Sequence, residues 1–472
     1  MGQAEALTQG TKLRNLLPSL AFCNGLFRDL IGDLDRKWKS VSQRDLSVKN
    51  ANGSESCADN QWPLAPLFYL TFYPVLKYVN DDSLFPNRRK ILMENPFKYG
   101  GIVRGPYFAD RTEELAELIR EMTNLSKVFL ISPRRLGKTC LLFNLMDRLR
   151  DLGFATAYLD LNAYPDVRSF AAALTQVTCK ALESNTERLI KILSGLQRLR
   201  PKVSVGHDGS LTGTVEVATD DKEVLPALLE GMHHAEKLAR KKGKRLVIVI
   251  DEFSDLPKYD GQTIEKALRA EIQQHEHIGY ILSGSEQSVM LSMTRDSKRA
   301  FYKLGRIMKL GPIDRKSYAD FIYSWLQKGT YRVERRDLEK IFELGKDVPH
   351  NIQRLCHNLW ELARESHGII PHLIEKLPRV IAQQDSPHFE VLWQAASQQQ
   401  RTLLMALSRE PDAKPFSRKF QLTYGIGPSS SIKASLDSLT KKGFLFKTLK
   451  GAYKFSDTFM PYWISDLKRT EK

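Results

Sequence analysis

Val128-Phe129-Leu130-Ile131-Ser132-Pro133-Arg134-Arg135-Leu136-Gly137-Lys138-Thr139 is the stretch from which the rest of the chain is read. Val128 to Ile131 is a short apolar run with the character of a buried strand, and helical period resumes from Lys138 to Arg150. Ser132 to Thr139 between them fit the pattern GxxxxGK[ST], with Ser132 where the first Gly is usual. A tight loop of this kind turns backbone N–H groups inward around phosphate oxygens, and the following helix adds the positive end of its dipole. Lys138 is then placed to reach the β- and γ-phosphates, and the Thr139 hydroxyl to ligate Mg²⁺. A chance Gly-Lys-Thr in a loop is the competing explanation; a strand before and a helix after are what it lacks. Ser132 demands an ordinary backbone where Gly would allow positive φ, and Pro133 fixes φ next to it. Mg-ATP is the expected ligand.

Working outward, Leu246 to Ile250 is an uninterrupted aliphatic run, as in a strand covered on both faces, and it ends in Asp251-Glu252. Two acids at a strand end are costly unless a cation or solvent meets them. Asp251 is expected to hold Mg²⁺ and Glu252 to polarise the attacking water, against the alternative of an exposed acidic turn. Gly279 to Ser283 is a further strand followed by Gly284-Ser285-Glu286. Ser283 or Ser285 could touch the γ-phosphate or the water, although Ser-Gly-Ser taken alone is only a turn. Arg306, before the strand at Ile307, is the first candidate for an arginine that reaches a γ-phosphate in a neighbouring subunit or domain; Arg299 is the second, and a surface arginine is the alternative for both. Strands at 128, 155, 246, 279 and 307 alternate with helical stretches, which means βαβ units and a mostly parallel sheet. Pro201 to Val217, with Asp208-Gly209 at its centre, is expected to be an inserted β-hairpin.

These segments together resemble the archaeal-type ATPase family, within the STAND branch of AAA+ P-loop ATPases. The Pro133-Arg134-Arg135-Leu136-Gly137-Lys138-Thr139 loop carries the resemblance first. Phe108 to Leu115, with Arg111, looks like the family's entry motif; Asp251-Glu252-Phe253 like its Walker B; Arg269 to Gln273 with Ser283 to Ser285 like the segment leading to sensor 1; and Arg299 to Tyr302 like the next. Gly345-Lys346-Asp347-Val348-Pro349 resembles the helical-lid motif whose proline lies near adenine, here two residues longer than a compact Gly-x-Pro. The resemblance spans about residues 95 to 465. It implies an α/β fold: an AAA+-like parallel sheet, a helical lid and a C-terminal winged helix-turn-helix. Ser132 to Cys140 with Arg111 and Pro349 would line the nucleotide. Lys138, Asp251, Glu252, Ser283 and Arg306 would act in a slow hydrolysis, with Thr139 and Asp251 on the metal.

The chain has 472 residues, which suits several compact units. Expected boundaries are an extension of uncertain fold at 1–92, a P-loop domain at 93–313, a helical lid at 314–396 and a winged helix at 397–472. The extension holds an aromatic patch, Trp62 to Tyr78, and either is weakly ordered or is an upstream segment read into the chain. Five scattered cysteines without a CxxC pair suggest neither disulfides nor zinc, and a reducing cytoplasm fits best. No run of about 18 apolar residues is present, so no membrane span is expected.

The formal net charge of +16 favours a polyanionic partner, or is simply that of an ordinary basic protein. Gln398 to Lys472 carry 14 Lys and Arg against 6 Asp and Glu, a net of +8. Gln400 to Leu407 and Pro428 to Leu439 have helical period, with Ser429 to Ser431 as cap candidates, and Gly443 and Gly451 bracket two short strands. That is the order of a winged helix. Arg418, Lys419, Lys433, Lys441, Lys442, Lys447 and Lys450 are candidates for double-stranded DNA, although Ser429 to Asp437 offer no Arg, Asn or Gln to read bases. A winged helix that binds protein is the alternative. The expected function is an ATP-driven two-state switch coupled to a protein or nucleic-acid partner or to self-association. A DNA-binding regulator that uses ATP mainly as a structural ligand stands beside it.

Overall fold

The run Leu246 to Asp251 is fully buried along its length, and the whole sheet is organised around it. The computed structural model describes residues 93–470 apart from 110, 206–210, 218–220, 330, 366–370, 412 and 449–450. The extension expected at 1–92, its aromatic patch and Lys450 lie outside the described residues. The described residues form one compact unit.

Strands β1 (Lys127–Ile131) and β2 (Ala155–Asp160) are followed by β3 (Leu199–Val205) and β4 (Leu211–Val217), then β5 (Leu246–Asp251), β6 (Ile278–Gly284) and β7 (Arg306–Lys309). Five of them make one parallel sheet in the order β2-β5-β6-β1-β7. β3 and β4 pair antiparallel as a separate hairpin. Because side chains alternate along a strand, β5 serves two cores at once. Val247 and Val249 face α1 (Thr112–Thr123) and α2 (Lys138–Asp151). Leu246, Ile248 and Ile250 face α3 (Val167–Leu182), α4 (Thr186–Leu193), α5 (Val224–Lys242), α6 (Pro257–Gln274) and α7 (Gln287–Arg295). Helices on both faces bury the sheet, which is why its strands read as continuous apolar runs.

The chain continues as α8 (Arg315–Lys328), α9 (Arg335–Gly345), α10 (Pro349–Glu365), α11 (Pro371–Ile374), α12 (Leu377–Gln384) and α13 (Ser386–Gln394). Next come α14 (Gln398–Arg409), α15 (Arg418–Tyr424), α16 (Ser429–Lys441), the antiparallel strands β8 (Leu445–Lys447) and β9 (Tyr453–Phe455), and α17 (Met460–Thr470). This is the winged-helix order. Ser397 and Gln400 close a capping box on α14, and Gly443, at φ +81°, ends α16. Buried residues from Tyr318 through Ile464 join one apolar cluster, so no gap in the core separates the helices before and after residue 396. The Ser429 to Ser431 cap is corrected: Pro428 occupies the N-cap of α16, with no side-chain cap bond. Ser429 Oγ instead accepts from Gln421 Nε2 at 3.1 Å, and Ser431 Oγ from Gln399 Nε2. No described helix is long and apolar enough to cross a membrane.

Candidate functional site

In a parallel sheet all carboxyl ends lie along one edge, and crevices there are the usual ligand sites of α/β folds. Here that edge carries the ends of β1, β2, β5 and β6, and the loop Ser132 to Gly137 leaves it to start α2. Gly137 sits at φ +84°, a left-handed conformation that suits Gly, and Arg135 adopts φ +67°. Ser132 has no positive φ, which is why it can stand where Gly is usual. It is fully buried, and its N–H donates to Gly284 O at 3.2 Å.

Lys138, buried in the first turn of α2, bridges two acids: Nζ is 2.8 Å from Asp251 Oδ1 and 2.7 Å from Glu252 Oε1. Thr139 Oγ1 donates to Asp251 Oδ2 at 3.2 Å. Ser283 Oγ donates to Asp251 Oδ1 at 2.5 Å and Ser285 Oγ to Glu252 Oε2 at 2.8 Å. Burial pushes the Asp251 carboxyl up, but the Lys138 charge and the bonds from Lys138 and Ser283 outweigh it and hold it below the ordinary value. Glu252 follows the strand at φ +49°, a strained backbone for a non-Gly residue, which turns its carboxylate onto Lys138 and Ser285.

A cavity of about 420 Å³ opens beside this cluster. The P-loop, the segment Lys98 to Ala109, Ile313, Tyr318 and the first turn of α10 line it. Its size falls in the usual range for small-ligand sites. The basic loop, two acids beside a threonine hydroxyl and a mainly apolar far wall fit a nucleoside triphosphate with Mg²⁺. Pro133, Arg134, Arg135, Leu136, Cys140 and Pro349 all line the cavity. Cys140 Sγ accepts from Val103 N–H at 3.3 Å, and burial raises its thiol pKa. Arg111 also lines the cavity, but its guanidinium is committed to the fold. It donates to Leu136 O at 2.8 Å and Gly311 O at 2.9 Å and pairs with Glu114, bracing the loop from behind.

The two arginines proposed to act on phosphate are not brought to this cavity. Arg306 is at the start of β7, in register with Val128, so it lies at the opposite end of the strand from the loop, paired with Glu117 and Glu121 of α1. Arg299 forms a fork with fully buried Glu265, its Nε 3.0 Å from Oε2. Their distance from the chain's own cavity leaves open only the expected action on a γ-phosphate of a neighbouring subunit or domain.

Three residues at the site carry no motif of their own. Tyr158 OH donates to Asp251 Oδ2 at 3.1 Å, and burial together with the Asp251 charge raises its phenol pKa. Asp160, at the end of β2, is in register with Asp251. Burial raises its pKa, partly offset by the Asn162 N–H, with the charges of Asp251 and Glu252 adding to the rise. Both follow from the rule that an adjacent parallel strand ends at the same edge. The signal is the strand Ala155 to Leu161, whose place beside β5 a single sequence does not reveal. Gln353 also lines the cavity, one helical turn beyond Pro349.

The family description "ATPase domain predominantly from Archaea" matches residues 108–355, and "Probable winged helix domain" matches residues 387–466. A search of curated proteins found no match. Among solved structures, a Walker-type ATPase of Pyrococcus abyssi is similar over 78% of this chain and 99% of its own, at 15% identity and a TM-score of 0.51. The ORC2 protein of Aeropyrum pernix, in ADPNP-ADP complexes, is similar over 80% and 98%, at 13% identity and a TM-score of 0.47. The ORC1 protein of the same organism, in complex with DNA, is similar over 81% and 96%, at 13% identity and a TM-score of 0.43. The likeness to the Pyrococcus protein is one of fold.

Proposed function

The chain belongs to the family of ATPase domains found predominantly in Archaea, and from that premise we propose that it is a Mg²⁺-dependent ATP-hydrolysing switch of the STAND type. One observation carries this reading: the Lys138 ammonium bridges Asp251 and Glu252, and Lys138 and Glu252 line the cavity. Phosphate oxygens compete for the same ammonium, so nucleotide binding frees both acids. Thr139 and Asp251 would then hold Mg²⁺, which neutralises charge on the β- and γ-phosphates. Ser283 and Tyr158 keep the Asp251 carboxylate oriented. Glu252, fixed by Ser285, positions the water and takes its proton. The helical segment 314–396 serves as the lid over the cavity, with Pro349 against the nucleotide.

The test is phosphate release from Mg-ATP by purified protein. Lys138→Ala is expected to lose binding and turnover together. Glu252→Gln is expected to retain ATP binding and lose turnover by on the order of 10²-fold or more. Full activity in Glu252→Gln would remove the role assigned to it.

A second reading, a DNA-associated regulator, is favoured by the exposed Arg418 and Lys419 on α15 and Lys433 and Lys441 on α16. It predicts binding to duplex DNA that weakens steeply with salt, and no binding at about 50 mM salt ends it.

A further inference from the structure

We propose that the amino-end edge of the sheet, opposite the nucleotide cavity, is a docking face for the phosphate backbone of duplex DNA, gripped by Lys237, Lys241, Lys244 and Arg245. The second reading above places DNA on the winged helix; this face is argued independently of it. The run Lys237 to Arg245 holds six Lys and Arg in nine positions and no acid. It covers the end of α5, the Gly243 cap at φ +60° and the entry to β5. The start of β2 lies beside it. Ala155 N–H donates to Arg245 O at 2.9 Å, and the Arg245 guanidinium stands 3.9 Å over the Phe154 ring. Lys237, Arg240, Lys241, Lys244 and Arg245 are all exposed. Glu236 and Glu276 hold Arg240 at 3.5 Å each, and Glu183 holds Lys242. The other four cations pair with no carboxylate among the described residues.

The fold does not account for these charges. A helix C-terminus favours cations in its last turn, which covers Arg240, Lys241 and Lys242. Lys237 stands before that turn, and Lys244 and Arg245 follow the cap. Lys237 and Lys241 are four positions apart on one face of α5, and like charges at that spacing destabilise a helix. A polyanion relieves such charge on binding and sheds its own condensed counterions. The two lysines are about 6 Å apart along the helix axis. A duplex carries a charge for about every 1.7 Å of its axis, so a row of point charges meets phosphates in any register. Arg245, held over the Phe154 ring, keeps its planar fork of N–H groups ordered for one phosphate. The adjoining turn before β2 adds one exposed acid, Asp151. Leu152 beside it is the one exposed large apolar side chain at this edge, too little to anchor in a bilayer.

The experiment is anisotropy titration of a labelled duplex with the full chain at several salt concentrations. Lys237→Ala, Lys241→Ala and Lys244→Ala combined should reduce the salt slope by about 2.7, near −0.9 for each phosphate no longer neutralised. The same three positions changed to Arg should keep the native slope. Lys298→Ala, Lys340→Ala and Lys376→Ala combined remove equal charge from other exposed positions and should also keep it. Urea unfolding and phosphate release from Mg-ATP should be unchanged in all three variants, because none of these side chains enters the core or the cavity. A slope untouched by the first variant would overturn the inference, and a lower slope in Lys433→Ala with Lys441→Ala would then leave the winged-helix face standing alone. An equal fall in the first and third variants would overturn it too, since bulk charge would suffice. Binding to phosphatidylserine–phosphatidylcholine vesicles that the first variant loses, with the duplex slope unchanged, would replace DNA by a lipid surface. No duplex binding at about 50 mM salt would remove both DNA faces.

Discussion

Arg299 and Arg306 are separated by seven positions and have opposite energetic standing. Arg299 is forked onto a carboxylate that has no exposure at all. Removing one member of such a pair leaves the other buried and uncompensated, which costs about 3–5 kcal/mol. Arg299→Ala should therefore lower the denaturant midpoint strongly and lose activity through unfolding. Arg306 lies exposed across Glu117 and Glu121 of its own α1, away from the cavity. Arg306→Ala should leave both the unfolding midpoint and turnover near those of the native chain. Urea unfolding and phosphate release on the two variants check this; a folded Arg299→Ala, or an inactive and folded Arg306→Ala, would reverse the assignment. At this scale the sequence is most legible where chemistry is local. Ser132 to Thr139 and Asp251-Glu252 state their spacing outright, and the structure gathers Lys138, Thr139, Asp251, Glu252, Ser283 and Ser285 within hydrogen-bond reach. Tyr158 and Asp160 are silent in the sequence because their relevance depends on which strand neighbours β5, a long-range fact.

Among the elements, the winged-helix pair α15 and α16 shows where a pattern carries and where it stops. Ile432, Leu436 and Leu439 on α16 are buried with helical period, and that period makes the helix legible. Its start is not legible, because the serines bond to Gln421 and Gln399 of neighbouring helices instead of capping their own. α15 has only seven residues, too few to display a period. The exposed side of α16 presents Ser429, Ser430, Lys433, Ala434, Asp437 and Lys441. Apart from Lys433 and Lys441 these side chains are short or acidic and the face holds no Arg, Asn or Gln, so the grip expected on DNA comes through phosphates. Lys442 is already occupied, donating to Ala395 O at 2.6 Å. The expected outcome for duplex DNA is an affinity indifferent to sequence. Lys433→Ala with Lys441→Ala should reduce the salt slope by about 2, near −0.9 for each phosphate no longer neutralised. Anisotropy titrations on two unrelated duplexes at several salt concentrations decide it. A slope unchanged by the double variant would exclude this face.

For the molecule as a whole, the question is whether the nucleotide loop and the winged helix move as one. Sequence pattern shows that a helix has an apolar face but not what covers it, and the structure answers with one continuous core from α8 to α17. Polar contacts extend that continuity to the cavity. Arg135 of the P-loop reaches Asp457 and Ser456 at 3.5 Å, just after β9, and Arg135 O accepts from His350 N–H at 3.4 Å. Asn351, next along α10, donates to Gly345 O at 3.2 Å and Thr458 Oγ1 at 2.9 Å. The α9–α10 junction between them is held in the left-handed region at Lys346 and Asp347, a conformation that stores strain in non-Gly residues. The segment 456–458 is therefore where a response to phosphates on the P-loop is expected. Such spatial connection becomes coupling only if both ends respond to one equilibrium. Hydrogen exchange supplies the check. Mg-ATP should change protection in residues 456–460 of the native chain, and Asn351→Ala should blunt that change while ATP still binds. Linkage is reciprocal, so a partner bound at the winged helix would shift ATP affinity by the same factor that ATP shifts partner affinity. Exchange in 456–460 that ignores Mg-ATP in the native chain would leave the winged helix a passive brace, and the two-state switch would lose its output.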